Sequence, residues 1–241
     1  MTFKKIKKRL LRKLGLMEPP FEKKMAPLVE KHANEFSQSS IQNHVEKRLF
    51  IDMGSNLGQG FQYFSKFYSP NLFDFLFFEA NPNCIDQLES NIRNLYEENK
   101  WSGKKEIINA AISNADGTVK LYGLVEDQRG KLSDGASTIK DHNSIYYEAC
   151  EHQAIEVPSI NISELIKKYT NEYSTIIVKM DIESSEYDSL EDLISTNTIN
   201  DITHLYVEWH SQYYSENKKS EILEREKNLK NILANKLTNW H

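Results

Sequence analysis

The chain has 241 residues, of which 39% are hydrophobic, and its formal net charge is −5 at pH 7. This length suits one large α/β domain with a short appendage, and the acidic balance provides no field for holding a polyphosphate strand, which argues against nucleic-acid binding. Because Cys84 and Cys150 lack the spacing of a zinc site or a disulfide framework, a reducing cytoplasm is the expected compartment.

The first 17 residues are predicted to form a basic amphipathic helix, in which an apolar stripe is surrounded by lysine and arginine. Pro19 and Pro20 end it, so residues 1–20 are assigned to an arm and residues 21–241 to the main domain. The helix either contacts an anionic surface at the inner face of the membrane or packs on the domain with its basic face in water. No apolar run is long enough to span a bilayer.

Beyond the arm, apolar strands alternate with amphipathic helices, which predicts a doubly wound, mostly parallel sheet. The predicted strands are 48–53, 73–79, 106–112, 118–122, 175–181 and 204–209, and the predicted helices are 57–67, 84–98, 162–169, 185–194 and 216–237. The turn signal at 114–117 predicts a hairpin off the third strand. Residues 123–158 are expected to form an irregular loop region over the site.

A glycine-rich turn follows the first strand and points to a nucleoside pocket. Gly54 and Gly58 allow positive φ and a close approach of the backbone to a ligand. Glu79 ends the next strand, where an ionised carboxylate can accept both ribose hydroxyls. The spacing G-x-x-x-G-x-G lacks the second glycine of the dinucleotide fingerprint, which disfavours nicotinamide chemistry. Asp52 suits a ligand with a cationic amino-acid portion, such as S-adenosylmethionine.

Acidic residues gather after two later strands. Asp181 and Glu183 follow the strand 175–181, and Glu186 falls in the next helical turn, where it can also serve as a cap. Glu208 and His210 end the strand 204–209. His210 is either a solvated loop residue or a candidate general base. The mutual repulsion of the acids must be offset by a cation, a shared proton or hydrogen-bond donors. If the cation is a divalent metal, its candidate ligands are Asp181, Glu183, Glu208 and His210.

Four segments, 50–58, 78–82, 109–113 and 179–186, resemble the FkbM-type S-adenosylmethionine-dependent methyltransferases in order and spacing. The resemblance implies a class I, Rossmann-like fold and O-methylation of a hydroxyl on a sugar or natural product, with S-adenosylhomocysteine as the second product. The cofactor-binding residues it implies are Asp52, Gly54, Ser55, Asn56, Gly58, Glu79, Ala80, Asn109, Ala110, Ala111 and Asp181. The expected catalytic residues are His210, Asp181 and Glu183, and the expected acceptor-binding residues are Ser137, in the small-residue segment 133–138, and Glu208.

Two features depart from the family pattern. Ser184 stands where the family usually has glycine, so the turn must tolerate a β-carbon or carry strain. The family sheet normally ends in an antiparallel strand pair after the last helix, but here the sequence stops at Trp240 and His241. That edge is either absent or covered by something else, such as a second copy in a homo-oligomer.

The reaction type follows in part from missing motifs. No Asn-Pro-Pro-Tyr or Asp-Pro-Pro-Tyr sequence follows the fourth strand, and no Pro-Cys nucleophile is present, which favours O-methylation of a small-molecule or glycan acceptor. The rival interpretation is a non-catalytic nucleoside-binding or scaffold subunit, with the helix 216–237 serving assembly. The acids and His210 favour the enzyme.

Overall fold

The computed structural model describes residues 20–37, 46–124, 135–142 and 149–240. They fall in two compact units, one holding the helix α1 (Pro20–Ser37) and the other holding residues 46–240. Helix α1 was not predicted, because Pro20 was interpreted only as a helix end, although proline is also favoured where a helix begins. The basic helix expected over 1–17 lies outside the described residues, and the boundary between residues 1–20 and 21–241 stays a prediction.

The second unit alternates strands and helices. Its strands are β1 (Arg48–Met53), β2 (Asp74–Phe78), β3 (Lys105–Ile108), β4 (Ala111–Ser113), β5 (Gly117–Leu121), β6 (Ile155–Asn161), β7 (Thr175–Met180), β8 (His204–Val207) and β9 (Leu237–Asn239). Its helices are α2 (Gln59–Phe64), α3 (Ile85–Asn99), α4 (Ile162–Thr170), α5 (Glu186–Ser195) and α6 (Glu216–Ile232). No helix in the described part of the chain is long and apolar enough to cross a membrane.

The main sheet has six strands in the order β3-β2-β1-β7-β8-β9, and every neighbouring pair is parallel. The expected Rossmann-like, doubly wound fold is therefore confirmed. Strands β1 and β7 are buried along their whole lengths, as apolar runs covered on both faces should be. The strand order reverses between them, and ligands of open parallel sheets bind at the carboxyl ends of the strands beside such a reversal.

A second sheet corrects two predictions. Its order is β4-β6-β5, with β6 parallel to β4 and antiparallel to β5. The predicted third strand 106–112 is therefore two strands in different sheets, and the predicted hairpin is wrong because β6 separates its two arms. Strand β6 begins inside the region 123–158 that was predicted to be irregular. This strand was not predicted; it contains Pro158, and proline inside an apolar run argues against a strand.

The edge of the main sheet beyond β8 is covered by the chain itself. The predicted helix 216–237 ends at Ile232, and β9 then pairs with β8 in a parallel, not antiparallel, arrangement. Trp240 N continues this pairing by donating to Val207 O at 2.7 Å. The Trp240 ring packs on Phe64 of α2, with ring centroids 4.6 Å apart. Strand β8, which leads into Glu208 and His210, is thus held on both sides.

Candidate active site

The turn after β1 requires glycine at position 54. Gly54 has φ of 76°, and a β-carbon there would lie 1.7 Å from the carbonyl oxygen of Asp181. Its N–H and that of Ser55 both donate to Phe78 O at 2.9 Å. The turn therefore passes tightly between the ends of β2 and β7, where no side chain fits.

The rest of the turn is closed by local hydrogen bonds. Ser55 Oγ donates to Asp52 O at 2.9 Å, and Gly58 N donates to Ser55 O at 2.8 Å. Gly58 precedes α2 with φ of 91°. Asn56 N instead donates to a residue outside the turn, Glu79, at 2.7 Å from its Oε2. Ser55, Asn56 and Gly58, which were predicted to bind the cofactor, thus belong to one hydrogen-bonded loop, and Asn56 anchors this loop to Glu79.

Glu79 is a buried carboxylate at the end of β2. Its Oε1 accepts from Asn81 N at 2.7 Å, and its other oxygen holds the loop through Asn56. Burial raises its pKa, against the two backbone donors, which lower it. Each carboxylate oxygen has a second lone pair, so both oxygens can still accept ribose hydroxyls.

The residue that follows β3 is hydrogen-bonded to the backbone at the end of β2. Asn109 Nδ2 donates to Glu79 O at 2.8 Å and to Ala80 O at 3.2 Å. Ala110 and Ala111 are buried. The structure therefore brings Asn109, Ala110 and Ala111, which were predicted to bind the cofactor, to the end of β2, where the Asn109 side chain donates to the backbone.

A buried lysine that was not predicted, Lys179, connects the glycine turn with the end of β7. Lys179 Nζ donates to Gly54 O at 2.8 Å and lies 3.1 Å from Asp52 Oδ1 and 3.3 Å from Asp181 Oδ2. Burial lowers its pKa, but Asp52 and Asp181 outweigh burial and raise the pKa above its usual value. Burial raises the pKa of Asp52, against the attraction of Lys179. The sequence does contain a signal for this contact. Lys179 lies inside the apolar run 175–180, and a lysine in a buried strand needs a buried partner of opposite charge.

The predicted acids and His210 do meet, since β7 and β8 are neighbours. His210 Nε2 lies 3.4 Å from Glu183 Oε2, 3.7 Å from Asp181 Oδ1 and 3.8 Å from Glu208 Oε1. Its Nδ1 lies 3.0 Å from Glu186 Oε1, which also accepts from Ile182 N at 2.8 Å. Glu186, which was predicted to belong to the group of acids or to serve as a cap, therefore positions His210. We call Asp181, Glu183, Glu208 and His210 the acid–imidazole cluster.

The cluster holds protons strongly. Burial lowers the pKa of His210, but Glu186, Glu183 and Asp181 outweigh burial and raise the pKa well above its usual value. Burial raises the pKa of Glu183 to about 8, and burial with the charge of Asp181 raises that of Glu208 to about 8. The side chains of Asp181 and Glu183 are 25% and 23% exposed, against 3% for His210. The carboxylates of Asp181 and Glu183 are therefore in partial contact with solvent, whereas the imidazole is buried.

The turn that carries Glu183 is left-handed, which favours strain over the other alternative for Ser184, a conformation that tolerates a β-carbon. Glu183 and Ser184 have φ of 53° and 82°, a left-handed conformation that disfavours a β-carbon. Ser184 Oγ lies 2.7 Å from His142 Nδ1, and Tyr214 Oη donates to Ser184 O at 3.2 Å. These hydrogen bonds hold the turn in its left-handed conformation.

The segment 135–142 lies against this turn. Ser137 Oγ donates to Glu183 O, so the predicted acceptor-binding residue is next to the cluster with its hydroxyl on the backbone; Ser133 and Asp134 lie outside the described residues. His142 Nε2 lies 3.5 Å from Glu183 Oε2. Burial lowers the pKa of His142 to about 3, with a further contribution from His210. His142 was not predicted, because its segment lacks regular structure.

Comparisons with known proteins find one matching family model and similar solved structures. The model of the methyltransferase FkbM domain matches residues 52–233. The chain is similar to the crystal structure of methyltransferase FkbM from Methylobacillus flagellatus KT, with 12% identity and a TM-score of 0.46 over 90% of this chain and 50% of that one. It is also similar to the N-terminal domain of human METTL16 in complex with SAH, with 12% identity and a TM-score of 0.33 over 76% of this chain and 52% of that one.

The chain thus spans about half the length of the solved structures that it matches. Comparison with curated proteins gives no match.

Proposed function

Because the chain belongs to the FkbM methyltransferase family, we propose that it transfers the methyl group of S-adenosylmethionine to a hydroxyl of a sugar or natural product. The observation that supports this proposal is that a buried carboxylate beside a glycine turn and a group of acids with a histidine lie at the same, carboxyl-terminal edge of the sheet. A buried carboxylate, Glu79, closes the glycine turn at the ends of β1 and β2, and the acid–imidazole cluster lies at the ends of β7 and β8.

The residues around the glycine turn suit S-adenosylmethionine. Glu79 offers its remaining lone pairs to the ribose hydroxyls. Asp181, which is one quarter exposed, offers a carboxylate to the ammonium group of the methionine portion. Asp52 is fully buried and acts on the turn through Lys179, which holds Gly54 O. When bound, S-adenosylmethionine supplies a methyl group on a sulfonium, whose transfer requires alignment with the acceptor oxygen.

The acid–imidazole cluster supports removal of the acceptor's proton. The carboxylates of Asp181, Glu183 and Glu208 are more exposed than His210, so a hydroxyl that approaches from solvent contacts them first. We propose that the cluster accepts the proton as a unit, in which His210 stabilises the carboxylates and Glu186 fixes the imidazole. Several carboxylates at one opening also suit an acceptor with neighbouring hydroxyls, because each ionised oxygen accepts hydrogen bonds.

The test combines binding with turnover. Calorimetric titration should show binding of S-adenosylmethionine or S-adenosylhomocysteine, and weaker binding of NAD. Release of S-adenosylhomocysteine should then be followed over a panel of nucleotide-linked sugars, free glycans and hydroxylated natural products. His210→Ala should lower kcat by roughly 10²- to 10⁴-fold with little change in cofactor affinity. His152→Ala, at an exposed histidine outside the site, is the matched control and should retain full turnover.

Tighter binding of NAD would contradict the proposal, as would wild-type turnover by His210→Ala on the true acceptor. Cofactor binding without turnover on any acceptor would favour the non-catalytic nucleoside-binding subunit. Methylation of an amine instead of a hydroxyl would keep the methyltransferase and refute the acceptor class.

A further inference from the structure

Three side chains of the acid–imidazole cluster converge as metal ligands do. Asp181, Glu183 and His210 each offer one ligand atom, and these atoms all lie within 4.8 Å of one another. Two carboxylate oxygens and one imidazole nitrogen suit a divalent ion of intermediate hardness. We propose that these three residues bind one divalent metal ion of the Mn²⁺ class.

The orientation of His210 is an independent observation for a ligand. Its side chain is 3% exposed, and Nδ1 is held by Glu186 Oε1 at 3.0 Å. Ligating histidines commonly use a carboxylate in this way to direct the other ring nitrogen at the ion. Nε2 is directed at the carboxylates of Asp181, Glu183 and Glu208, which lie within 4 Å of it, and among the described residues it makes no hydrogen bond.

The distances around Nε2 fit an ion better than direct hydrogen bonds. Charge-assisted hydrogen bonds are about 2.7–2.9 Å long, whereas the contacts of Nε2 with Glu183 and Asp181 are 3.4 and 3.7 Å. Ligands bound at about 2.0–2.2 Å to one ion lie roughly 3–3.6 Å apart when they are neighbours. Small movements of these side chains would therefore complete the coordination.

The charges favour the same conclusion. Four carboxylates, those of Asp181, Glu183, Glu186 and Glu208, lie within 4 Å of one imidazole. Lys179 is shared between Asp181 and Asp52, so it offsets only part of this negative charge. A divalent ion at the centre would stabilise the ionised forms of these carboxylates.

The role of the ion rests on the proposed function, whereas its binding does not. An ion beside the acceptor lowers the pKa of a hydroxyl that it contacts. The O–H bond then breaks, its proton passes to the carboxylate of Glu208, and the oxygen takes the methyl group from the sulfonium. Glu208 lies outside the ligand set and 3.8 Å from His210 Nε2.

The experiment is a titration of the chelator-treated full chain with Mn²⁺, in which free Mn²⁺ is followed by electron paramagnetic resonance. We expect one ion per chain. Glu183→Gln and His210→Gln should each weaken binding by about tenfold or more. Glu156→Gln and His152→Ala, at exposed residues outside the cluster, should bind as the unchanged chain does. Pulsed spectroscopy of the bound Mn²⁺ should detect coupling to an imidazole nitrogen, a readout that needs no variant.

No binding at about 1 mM Mn²⁺, no nitrogen coupling, or equal weakening by the control variants would overturn the metal site. Methyl transfer that persists in chelator would overturn the role of the ion and leave the proposed function intact. Mn²⁺ binding by a chain that binds no S-adenosylmethionine would instead refute the proposed function and leave the metal site intact.

Discussion

Substitution of Ser184 measures the strain in the turn that carries Glu183. A left-handed conformation costs a residue with a β-carbon about 1–2 kcal/mol, and φ of Ser184 is 82°. Glycine avoids this cost but loses about 0.5–1 kcal/mol through the greater freedom of the unfolded chain. Ser184→Gly should therefore be more stable than Ser184→Ala by about 0.5–1 kcal/mol, the reverse of their usual order.

Both variants lose the hydrogen bond between Ser184 Oγ and His142 Nδ1, worth about 0.5–1.5 kcal/mol. Ser184→Ala should be less stable than the unchanged chain by about that amount, and the stability of Ser184→Gly should lie between about 0.5 kcal/mol above and 1 kcal/mol below that of the unchanged chain. Serine thus keeps the turn in place by offsetting strain with a buried hydrogen bond.

The measurement is urea unfolding, with midpoints compared at an unchanged m value. Ser185 supplies the matched control, because its hydroxyl also makes one hydrogen bond, to Thr138 Oγ1 at 2.6 Å, while its φ is −80°. There the alanine variant should be the more stable of the two. If alanine is also the more stable at position 184, the turn is not strained as described.

Three further predictions concern the glycine turn and its supports. Glu79→Gln should weaken binding of S-adenosylhomocysteine by about 1.5–3 kcal/mol, measured by calorimetry, because a charged acceptor is lost; unchanged affinity would remove Glu79 from the pocket. Lys179→Met should destabilise the chain by about 3–5 kcal/mol in urea unfolding, since it leaves buried carboxylates without their cation, and adding Asp52→Asn should recover part of this loss. Gly54→Ala should be less stable than Gly117→Ala by about 1–3 kcal/mol in the same assay, because both positions have positive φ but only Gly54 lacks space for a β-carbon; equal losses would contradict the close approach to Asp181.

The sequence predicts the parts of this site that local patterns determine. The buried strands β1, β2, β7 and β8 are apolar runs that end in predicted site residues, and the glycine turn has a recognisable spacing. Because the carboxyl ends of parallel strands share one edge, the meeting of His210 with Asp181 and Glu183 also follows from the predicted topology.

What the sequence does not predict depends on partners that are distant in the chain. Strand β6 is extended because β4 and β5 flank it, although Pro158 argues against a strand. His142 belongs to the site only because its segment lies against Ser184, and Lys179 is tolerated only because Asp52 and Asp181 surround it. None of these contacts leaves a periodic pattern in the sequence.

The position of β1 between β2 and β7 has a consequence for the order in which the chain is made. Strand β7 lies more than 120 residues after β1, which at about 5–20 residues per second corresponds to roughly 6–24 s of synthesis on the ribosome. During this time β1, β2 and β3 can pair, but the other side of β1 stays open, and Gly54 lacks the neighbours that fix its turn. The proposed cofactor pocket is therefore completed only after β7 has been made, and a nascent chain that stops before Asp181 should not bind S-adenosylmethionine.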